Sequence, residues 1–423
     1  MREPVYDAAV VGAGIAGLAA ANALAGAGYR TALVERTPPA RRRGELGFDL
    51  RTVALTPKSV EFLRTLAWID DAELGPVEAM RVWEYDGAGS LRFAGDGPLA
   101  YVAENSALTT RLWRAAERCL DILPGQSVTG LTHARDAVVL TGPDLAARLV
   151  VAADGADSVV RGLTATPVRY EPSYRRGPQH AIATIARTTR PHVNVAYQRF
   201  GRTGPVALLP LVDSTPAGMS GGRGDTVAVV WSTSAVESDR LQSLDDDGFR
   251  AALGAEVEGV LGEFEAIDRR LSFPVRLGLT ADFNRAPRIL LIGDAARTLH
   301  PLAGQGVNVA LEDVRALAAT ASGSDLGAGR WRGFARDRRA RSKLMMASMR
   351  ALLAAYCGPR AGNPWMRLAR NASVRFIDAA PVIKAQLVRE AMGLGPLAMH
   401  RETRADPGVS NGFESPGTSS EIA

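Results

Sequence analysis

A glycine-rich turn near the start of the chain constrains the fold more than any other feature. Apolar residues 5–11 are followed by the turn GAGIAG, an alanine-rich segment at 15–27 and a second apolar run at 31–34. This pattern predicts a strand, a turn, a helix and a strand, which together form a βαβ unit with two parallel strands. A unit of this kind indicates an α/β fold, in which helices cover a mostly parallel sheet.

The spacing of the glycines in this turn indicates that it binds a dinucleotide. Gly12, Gly14 and Gly17 permit a tight turn and let the backbone approach a pyrophosphate, which the N-terminus of the next helix attracts. Glu35 lies 21 residues after Gly14, closes the second strand and can accept a hydrogen bond from a ribose hydroxyl. A glycine-rich turn without a ligand is the alternative. The turn alone does not distinguish NAD from FAD.

Two later segments also place polar residues directly after apolar strands. In LVVAADGADSVVR, residues 149–161, Asp154 follows a strand and either serves a cofactor or caps the next helix. In RILLIGDAARTLHPLAGQGVNVALEDV, residues 288–314, the Asp294 carboxylate can accept hydrogen bonds from a polyol chain. The loop that follows is rich in N–H groups at a helix start and is suited to polarise the electron-poor end of a flavin ring. This loop contains Pro301, Gly304, Gln305 and Gly306.

Taken in order, these three segments resemble the fingerprints of the flavoprotein aromatic hydroxylases typified by para-hydroxybenzoate hydroxylase. The stretches 49–63, 197–211 and 227–232 and a helical end at 370–395 resemble the ubiquinone-biosynthesis hydroxylases in particular. The resemblance covers nearly everything from residue 6 to residue 395, and it implies FAD as the cofactor. It also implies that reduced flavin reacts with O2 to give a C4a-hydroperoxide, whose distal oxygen is transferred to an aromatic carbon.

The resemblance implies roles for single residues that bind the cofactor. Asp294 would bind the ribityl chain, and the loop that ends at Asn308 would wrap the isoalloxazine ring. Arg51 would reach the pyrophosphate, for which a guanidinium fork is well matched. Asn105 would contact the cofactor at the start of a helix, and its alternative role is that of a helix N-cap.

The candidate catalytic residues are Pro301 and His300, which precede the glycine-rich loop. The family commonly has His where this chain has Arg297, and an arginine does not titrate near neutrality. His300 is therefore the remaining imidazole near the flavin. It either assists a proton movement or has a positional or packing role.

The predicted architecture is an α/β, Rossmann-like FAD-binding domain with an inserted β-rich substrate domain and a helical C-terminal segment. The FAD domain is discontinuous and takes residues 1–75, 100–165 and 280–330. The substrate domain takes residues 76–99 and 166–279, where apolar runs alternate with Gly and Pro as in an antiparallel sheet. Residues 331–400 form the helical segment, and residues 401–423, rich in Gly, Ser and Pro, a disordered tail.

Composition and charge bear on the compartment and on the partners. No apolar run approaches the roughly 18 residues that a membrane-spanning helix requires, and no signal segment precedes the first strand. Cys119 and Cys357 lie far apart and outside any metal-ligand spacing, so we expect a cytoplasmic protein without a metal. The net charge is +5, without a nucleic-acid-binding module. Residues 330–341 are rich in arginine. They form either a solvated helix face or a surface that binds anionic lipid or a partner.

The preferred hypothesis is hydroxylation of a polyprenylated phenol on the way to ubiquinone, with O2 as co-substrate. Because only one dinucleotide fingerprint is present, NAD(P)H docks transiently or a reductase protein supplies the electrons. Because the prenyl tail is insoluble, we expect the protein to work on the inner membrane surface, beside other ubiquinone-biosynthesis proteins. The apolar run 206–212 is the candidate groove for the tail. The alternatives are a hydroxylase of a soluble aromatic or antibiotic intermediate, a flavin-dependent isoprenoid reductase and a non-catalytic flavin-bearing scaffold.

Overall fold

The computed structural model describes residues 6–85, 90–171, 177–212, 224–322 and 326–358, and residues 361, 363, 370 and 372. The predicted helical end beyond residue 372 and the predicted tail at 401–423 lie outside the described residues. The helices are α1 (Ile15–Gly26), α2 (Pro57–Leu66), α3 (Asn105–Ala116), α4 (Val159–Leu163), α5 (Ala235–Ser243), α6 (Asp246–Glu256), α7 (Gly293–Ala296), α8 (Gln305–Ala321) and α9 (Trp331–Cys357).

The strands form four sheets. They are β1 (Tyr6–Val11), β2 (Thr31–Glu35), β3 (Thr52–Leu55), β4 (Gly75–Val77), β5 (Ala79–Glu84), β6 (Ser90–Ala94), β7 (Ala100–Glu104), β8 (Asp121–Pro124), β9 (Gly130–His133), β10 (Val138–Thr141), β11 (Leu145–Ala152), β12 (Val168–Tyr170), β13 (Gln179–Thr188), β14 (Val195–Phe200), β15 (Pro205–Pro210), β16 (Thr226–Ser234), β17 (Phe264–Ile267), β18 (Leu271–Val275), β19 (Gly278–Thr280), β20 (Ile289–Leu291) and β21 (Arg297–Thr298).

The first sheet contains the predicted βαβ unit. Its order is β8-β2-β1-β11-β10-β9, and β20 pairs with the end of β11. The pairs that link β8, β2, β1, β11 and β20 are all parallel, whereas β9 and β10 are antiparallel. Helices α1 and α8 pack together over one face of this sheet. Because parallel strands point the same way, the carboxyl ends of β1, β2, β11 and β20 meet at one edge.

The largest of the other sheets confirms the predicted antiparallel texture. Its order is β17-β13-β16-β15-β14-β5-β6, with β18 also paired to β13, and only the β5–β14 pair is parallel. Strands β5 and β6 come from residues 76–99 and join strands from residues 166–279 in this one sheet. Two small sheets of three strands each have the orders β3-β7-β4 and β12-β19-β21.

The apolar run at 206–212 does not form the predicted groove. Val206 and Leu208 on β15 are each 1% exposed and pack in one hydrophobic cluster with Phe249 of α6. Leu211 is buried in a second cluster, with Leu50. These side chains fill the space between the sheet and its neighbours, so the run belongs to the core.

The arginine-rich start of α9 is only partly a solvated face. Arg338 is 2% exposed, and its Nε donates to Asp313 Oδ1 of α8 at 2.7 Å. The other Asp313 oxygen accepts from Arg297 at 2.6 Å, and Glu312 lies 3.3 Å from Arg338. We call these four residues the buried ion network. The prediction that Arg338 faces solvent or lipid is therefore wrong, because a buried carboxylate between two helices requires a cation beside it.

None of the described helices is both long and apolar enough to cross a membrane.

Candidate functional site

The three glycines of the turn after β1 are required for different structural reasons. Gly12 has a φ of +103°, and a Cβ there would lie 2.5 Å from the Ala153 carbonyl oxygen. A Cβ on Gly17 would lie 1.9 Å from the Gly12 carbonyl oxygen. Gly14, in contrast, would place a Cβ in open space, with no atom within 4 Å. Gly12 and Gly17 therefore serve the packing of the turn, and Gly14 leaves room outside the sheet edge where a pyrophosphate could approach.

Glu35 lies at the same edge, beside the turn. One carboxylate oxygen accepts a hydrogen bond from the Ala13 amide, and the other accepts from the Thr37 amide at 2.8 Å. A carboxylate oxygen has more than one lone pair, so Glu35 retains the capacity to accept from a ribose hydroxyl. That contact stays a prediction.

Asp154, at the end of β11, accepts a hydrogen bond from the Val160 amide at 3.2 Å through Oδ2. The N-cap of α4 is Ser158, whose hydroxyl accepts from the Arg161 amide at 3.0 Å. Asp154 thus supports the helix start without being its N-cap, and its Oδ1 is buried with no hydrogen-bond partner among the described residues. The Arg161 guanidinium donates to the Ala295 carbonyl at 3.0 Å and so ties α4 to α7.

Asp294, in the first turn of α7, is exposed at this edge. Surrounding protein nevertheless removes water from its carboxylate, and this desolvation raises the pKa of Asp294, an effect that nearby Arg297 opposes. An accessible carboxylate at the end of a parallel strand can accept hydrogen bonds from a polyol chain. Its contact with a ribityl chain stays a prediction.

The loop between α7 and α8 is held by two residues that contact β3. Gly304 has a φ of +61°, and a Cβ there would lie 2.8 Å from the Ala54 side chain. Asn308, 4% exposed, donates to the carbonyls of Ala54 at 2.8 Å and Gly304 at 3.3 Å, and accepts from the Thr56 amide at 2.9 Å. Both amide hydrogens are thus used by the backbone. Asn308 positions the loop, which differs from the direct cofactor contact that the sequence predicts.

The other predicted loop residues remain accessible. Gln305 begins α8, and Pro301 precedes the short 3-10 turn that leads into it. A Cβ on Gly306 would meet no atom within 4 Å, so the N-terminus of α8 opens onto free space. The amide groups of a helix N-terminus in such a position attract negative charge.

His300 is buried and electrically neutral. It is 1% exposed, and its Nδ1 accepts a hydrogen bond from the Leu302 amide at 3.1 Å, which assigns the proton to Nε2. Burial lowers the pKa of His300 to about 4. An imidazole that stays neutral through the physiological range favours the positional role over a proton transfer.

Asn105 and Arg51 lie next to each other at the start of α3. The N-cap of α3 is Glu104, so the alternative role of Asn105 as a helix N-cap is wrong. The Asn105 amide donates to the Arg51 carbonyl at 3.0 Å, and the Arg51 side chain is exposed. Contact of either side chain with a cofactor stays a prediction.

Two buried aspartates organise this edge, and the sequence interpretation assigned neither of them. Asp49, 3% exposed, accepts from the amides of Arg51 and Ser106, each at 3.0 Å, and so joins the Arg51 loop to α3. Asp313 accepts from the Gly293 amide at 3.1 Å as well as from its arginines. The signal for Asp49 was its type, since an Asp side chain often accepts a hydrogen bond from the backbone two residues on, here at Arg51. The signal for Asp313 was a carboxylate on an otherwise apolar helix face.

These residues fit an FAD molecule laid along the carboxyl edge of the first sheet. The turn at Gly14 would hold the pyrophosphate, Glu35 the adenosine ribose, Asp294 the ribityl chain and the α8 N-terminus the flavin ring. Two observations favour this placement: the open space at Gly14 and Gly306, and the Oδ1 of Asp154, which has no hydrogen-bond partner within the described part of the chain.

Comparisons with known proteins agree with this geometry. A family model described as FAD binding domain matches residues 5–323. The ubiquinone hydroxylase UbiL of Rhodospirillum rubrum is 31% identical, over 93% of this chain and 92% of its own. The 3-demethoxyubiquinol 3-hydroxylase of Escherichia coli is 27% identical, over 93% of this chain and 100% of its own.

Among solved structures, the p-nitrophenol 4-monooxygenase PnpA of Pseudomonas putida has a TM-score of 0.71 at 18% identity, covering 93% of this chain and 100% of that one. Aklavinone-11 hydroxylase, solved with FAD and aklavinone, has a TM-score of 0.64 at 21% identity, covering 86% of this chain and 71% of that one. These two likenesses concern the fold. Because the family model matches most of the chain, the protein belongs to the FAD-binding-domain family, and FAD is its cofactor.

Proposed function

We propose that this protein is an FAD-dependent hydroxylase that adds oxygen to the aromatic ring of a polyprenylated phenol in ubiquinone biosynthesis. The observation that carries the proposal is similarity to ubiquinone hydroxylases along nearly the whole length of both chains. Similarity of that extent includes the antiparallel sheet and the start of α9 as well as the dinucleotide site. It therefore bears on the substrate as well as on the cofactor.

The residues of this chain bind the cofactor and exclude water. When bound and reduced, FAD supplies the chemistry that activates O2 for transfer to an electron-rich ring. The turn at Gly14 and the helix N-termini of α1 and α8 would direct N–H groups at the anionic parts of the cofactor. We call the loop between α7 and α8, residues 297–304, the flavin loop. Its Leu302 packs in one cluster with Phe200 of β14 and with Leu353 and Cys357 of α9, which covers this side of the loop against water.

The electron donor is either NAD(P)H or a reductase protein. The chain carries one dinucleotide fingerprint, which the FAD would occupy, so a nicotinamide would bind only transiently. NADPH consumption by the purified protein alone would favour direct reduction. Consumption that requires an added flavin reductase would favour the second donor.

We further propose that the protein works at the inner membrane surface, because a long prenyl tail is insoluble and each buried methylene contributes about 0.8 kcal/mol to its retention in lipid. Helix α9 supports this with a basic stripe, which consists of Arg332, Arg336, Lys343 and Arg350. Their spacing of 4, 7 and 7 residues places them on one face of the helix, and all four are exposed. Arg338 points into the protein and does not belong to the stripe.

The experiment is an assay of the FAD-loaded protein with 2-geranylphenol, NADPH, a flavin reductase and isotopically labelled O2. We expect a product that gains one labelled oxygen atom on the ring. NADPH oxidation without any ring product would contradict the proposal. A saturated side chain formed without O2 would instead identify an isoprenoid reductase, and a preference for phenols without a tail would identify a hydroxylase of soluble aromatics.

A further inference from the structure

A cavity of about 800 Å³ lies between α9, the β12–β19 pair and the adjoining ends of β13 and β18. Its buried lining residues include Gln179, at the start of β13, and His300 of the flavin loop. At its rim lie the half-buried Glu171 and the exposed Arg350, whose charged groups are 2.8 Å apart. The cavity thus has a buried polar part and a charged rim.

Gln179 lines this cavity, and its side-chain amide, buried just behind the lining, makes no hydrogen bond among the described residues. The residue is 5% exposed, and both its Nε2 and its Oε1 are buried without a hydrogen-bond partner among the described residues. Its backbone pairs with Ser234 on one side and Val275 on the other, so the sheet uses the main chain only. A buried amide without partners is costly, and the cavity is where a partner for this amide can enter.

His300 brings the cavity to the flavin loop. It lines the cavity and is followed directly by Pro301 and by Leu302, whose amide it holds. Strand β19 continues the same wall, because Gly278 pairs with Thr298 and Leu279 with Arg297. A molecule in the cavity would therefore lie against the loop that the proposed function places at the flavin ring.

Apart from Leu353 and the rim residue Arg350, the α9 wall of the cavity is made of small apolar side chains. Ala347, Ala351 and Ala354 recur at spacings of four and three residues, which places them on one helix face. They leave space beside the helix, and Val275 and Leu277 line the opposite wall. The cavity thus has a buried amide at Gln179 and an apolar channel beside α9, which we call the corridor. This combination suits a molecule with one polar ring substituent and a hydrocarbon chain.

We propose that this cavity binds the phenolic substrate, that Gln179 recognises the ring hydroxyl, and that the alanines of α9 flank the hydrocarbon chain. This inference rests on the proposed function and names the site at which it acts. An amide donates and accepts at once, as does a phenol hydroxyl, so the two groups satisfy each other. An aromatic hydrocarbon of the same shape would leave the amide unpaired.

The test is a binding cycle on the FAD-loaded protein under anaerobic conditions. Kd is measured by calorimetry for 2-geranylphenol and for geranylbenzene, which lacks only the hydroxyl. We expect the parent to prefer the phenol by about tenfold, the loss typical of one to two neutral hydrogen bonds. Gln179→Met keeps the length of the side chain but offers the hydroxyl no partner, so it should lose the parent's preference for the phenol over geranylbenzene.

The matched control is Gln242→Met, because Gln242 is a half-buried glutamine on α5 that does not line the cavity. It should keep the parent's preference. FAD content and melting temperature of both variants should equal those of the parent, which separates lost recognition from lost folding.

A second pair of variants tests the corridor without relying on Gln179. Ala351→Phe places a ring inside the cavity and should weaken binding of both ligands at least tenfold. Ser348→Phe adds the same ring one turn away, at an exposed position that does not line the cavity, and should leave both Kd values unchanged.

The outcomes separate this inference from the proposed function. If the parent hydroxylates 2-geranylphenol while Gln179→Met and Ala351→Phe bind it as the parent does, the cavity is not the substrate site and the hydroxylase proposal stands. If the parent neither binds nor hydroxylates the phenol, the proposed function is wrong, and the assignment of this cavity is wrong with it.

Discussion

At the scale of single residues, the candidate site shows how one residue type serves two purposes. Gly12 and Gly17 are glycines because the protein's own carbonyls occupy the space where a Cβ would lie. Gly14 and Gly306 meet nothing, so the protein itself does not require a glycine for space at either position. A glycine at these two positions is explained if the chain or ring of a ligand occupies that space.

The first prediction concerns the carboxylate at the end of β20. Asp294→Ala removes the charged acceptor that we place at the ribityl chain, and a hydrogen bond to a charged group contributes about 1.5–3 kcal/mol. We expect FAD affinity to fall roughly ten- to hundredfold, as measured by fluorescence titration of the apoprotein with FAD. Asp247→Ala, at an exposed position on α6, is the control and should bind FAD as the parent does. Equal affinity in both variants would mean that Asp294 does not hold the cofactor.

At the scale of elements, the buried ion network links three helices and one strand. Asp313 of α8 receives Arg297 of β21, Arg338 of α9 and the backbone amide of Gly293 in α7. One buried carboxylate thus joins α7, α9 and β21 to α8. Displacement of any of them would leave a charge unpaired in the interior, so the network fixes how α9 packs on the FAD-binding sheet.

The second prediction tests this linkage. Arg338→Met removes one cation from Asp313 and Glu312, and the loss of one partner from a buried ion pair costs about 3–5 kcal/mol. Because Arg297 remains, we expect a loss of about 3 kcal/mol in the free energy of unfolding, measured by urea denaturation of the FAD-loaded protein. Arg336→Met, at an exposed position on the same helix, should change it by less than about 0.5 kcal/mol. Similar midpoints for the two variants would show that the network contributes little.

At the scale of the whole molecule, the basic stripe of α9 and the cavity share one helix. Arg350 belongs to the stripe and also stands at the cavity rim, while Ala347, Ala351 and Ala354 line the cavity. A surface that attracts anionic headgroups would therefore present the cavity to a substrate that resides in lipid. This arrangement joins the membrane proposal to the proposed substrate site.

The third prediction concerns binding to lipid. We expect the parent to float with vesicles that contain anionic lipid and to remain behind with neutral vesicles. Each basic residue near such a surface contributes about 1 kcal/mol, so Arg336→Glu with Lys343→Glu should lower the partition coefficient onto anionic vesicles by at least about thirtyfold. Reversal of two exposed arginines elsewhere, Arg114→Glu with Arg118→Glu on and after α3, is the charge-matched control. If both double variants float equally, the attraction is one of net charge and not of α9.

Local chemistry accounts for what could be predicted from the sequence. The GAGIAG turn, the parallel strand pair and the strands before Asp154 and Asp294 were predicted correctly, because each depends on neighbours within a few residues. The antiparallel sheet followed from alternating apolar residues in the same way. The structure then brings the loops after these strands to one sheet edge, since parallel strands share their direction.

Contacts between distant segments decided the rest. Spacing along the chain cannot show that Asn308 binds the backbone of β3 or that Arg338 is buried against Asp313. Nor can it show that side chains of the run 206–212 fill a core. The same holds for Gln179, since its isolation depends on β16, β18 and α9 together. The sequence by itself determined the α/β fold class and FAD as the cofactor, whereas the tertiary structure alone decided which buried polar side chains find hydrogen-bond partners among the described residues and which do not. The physical reason is that satisfaction of a buried polar group depends on partners far apart in the chain.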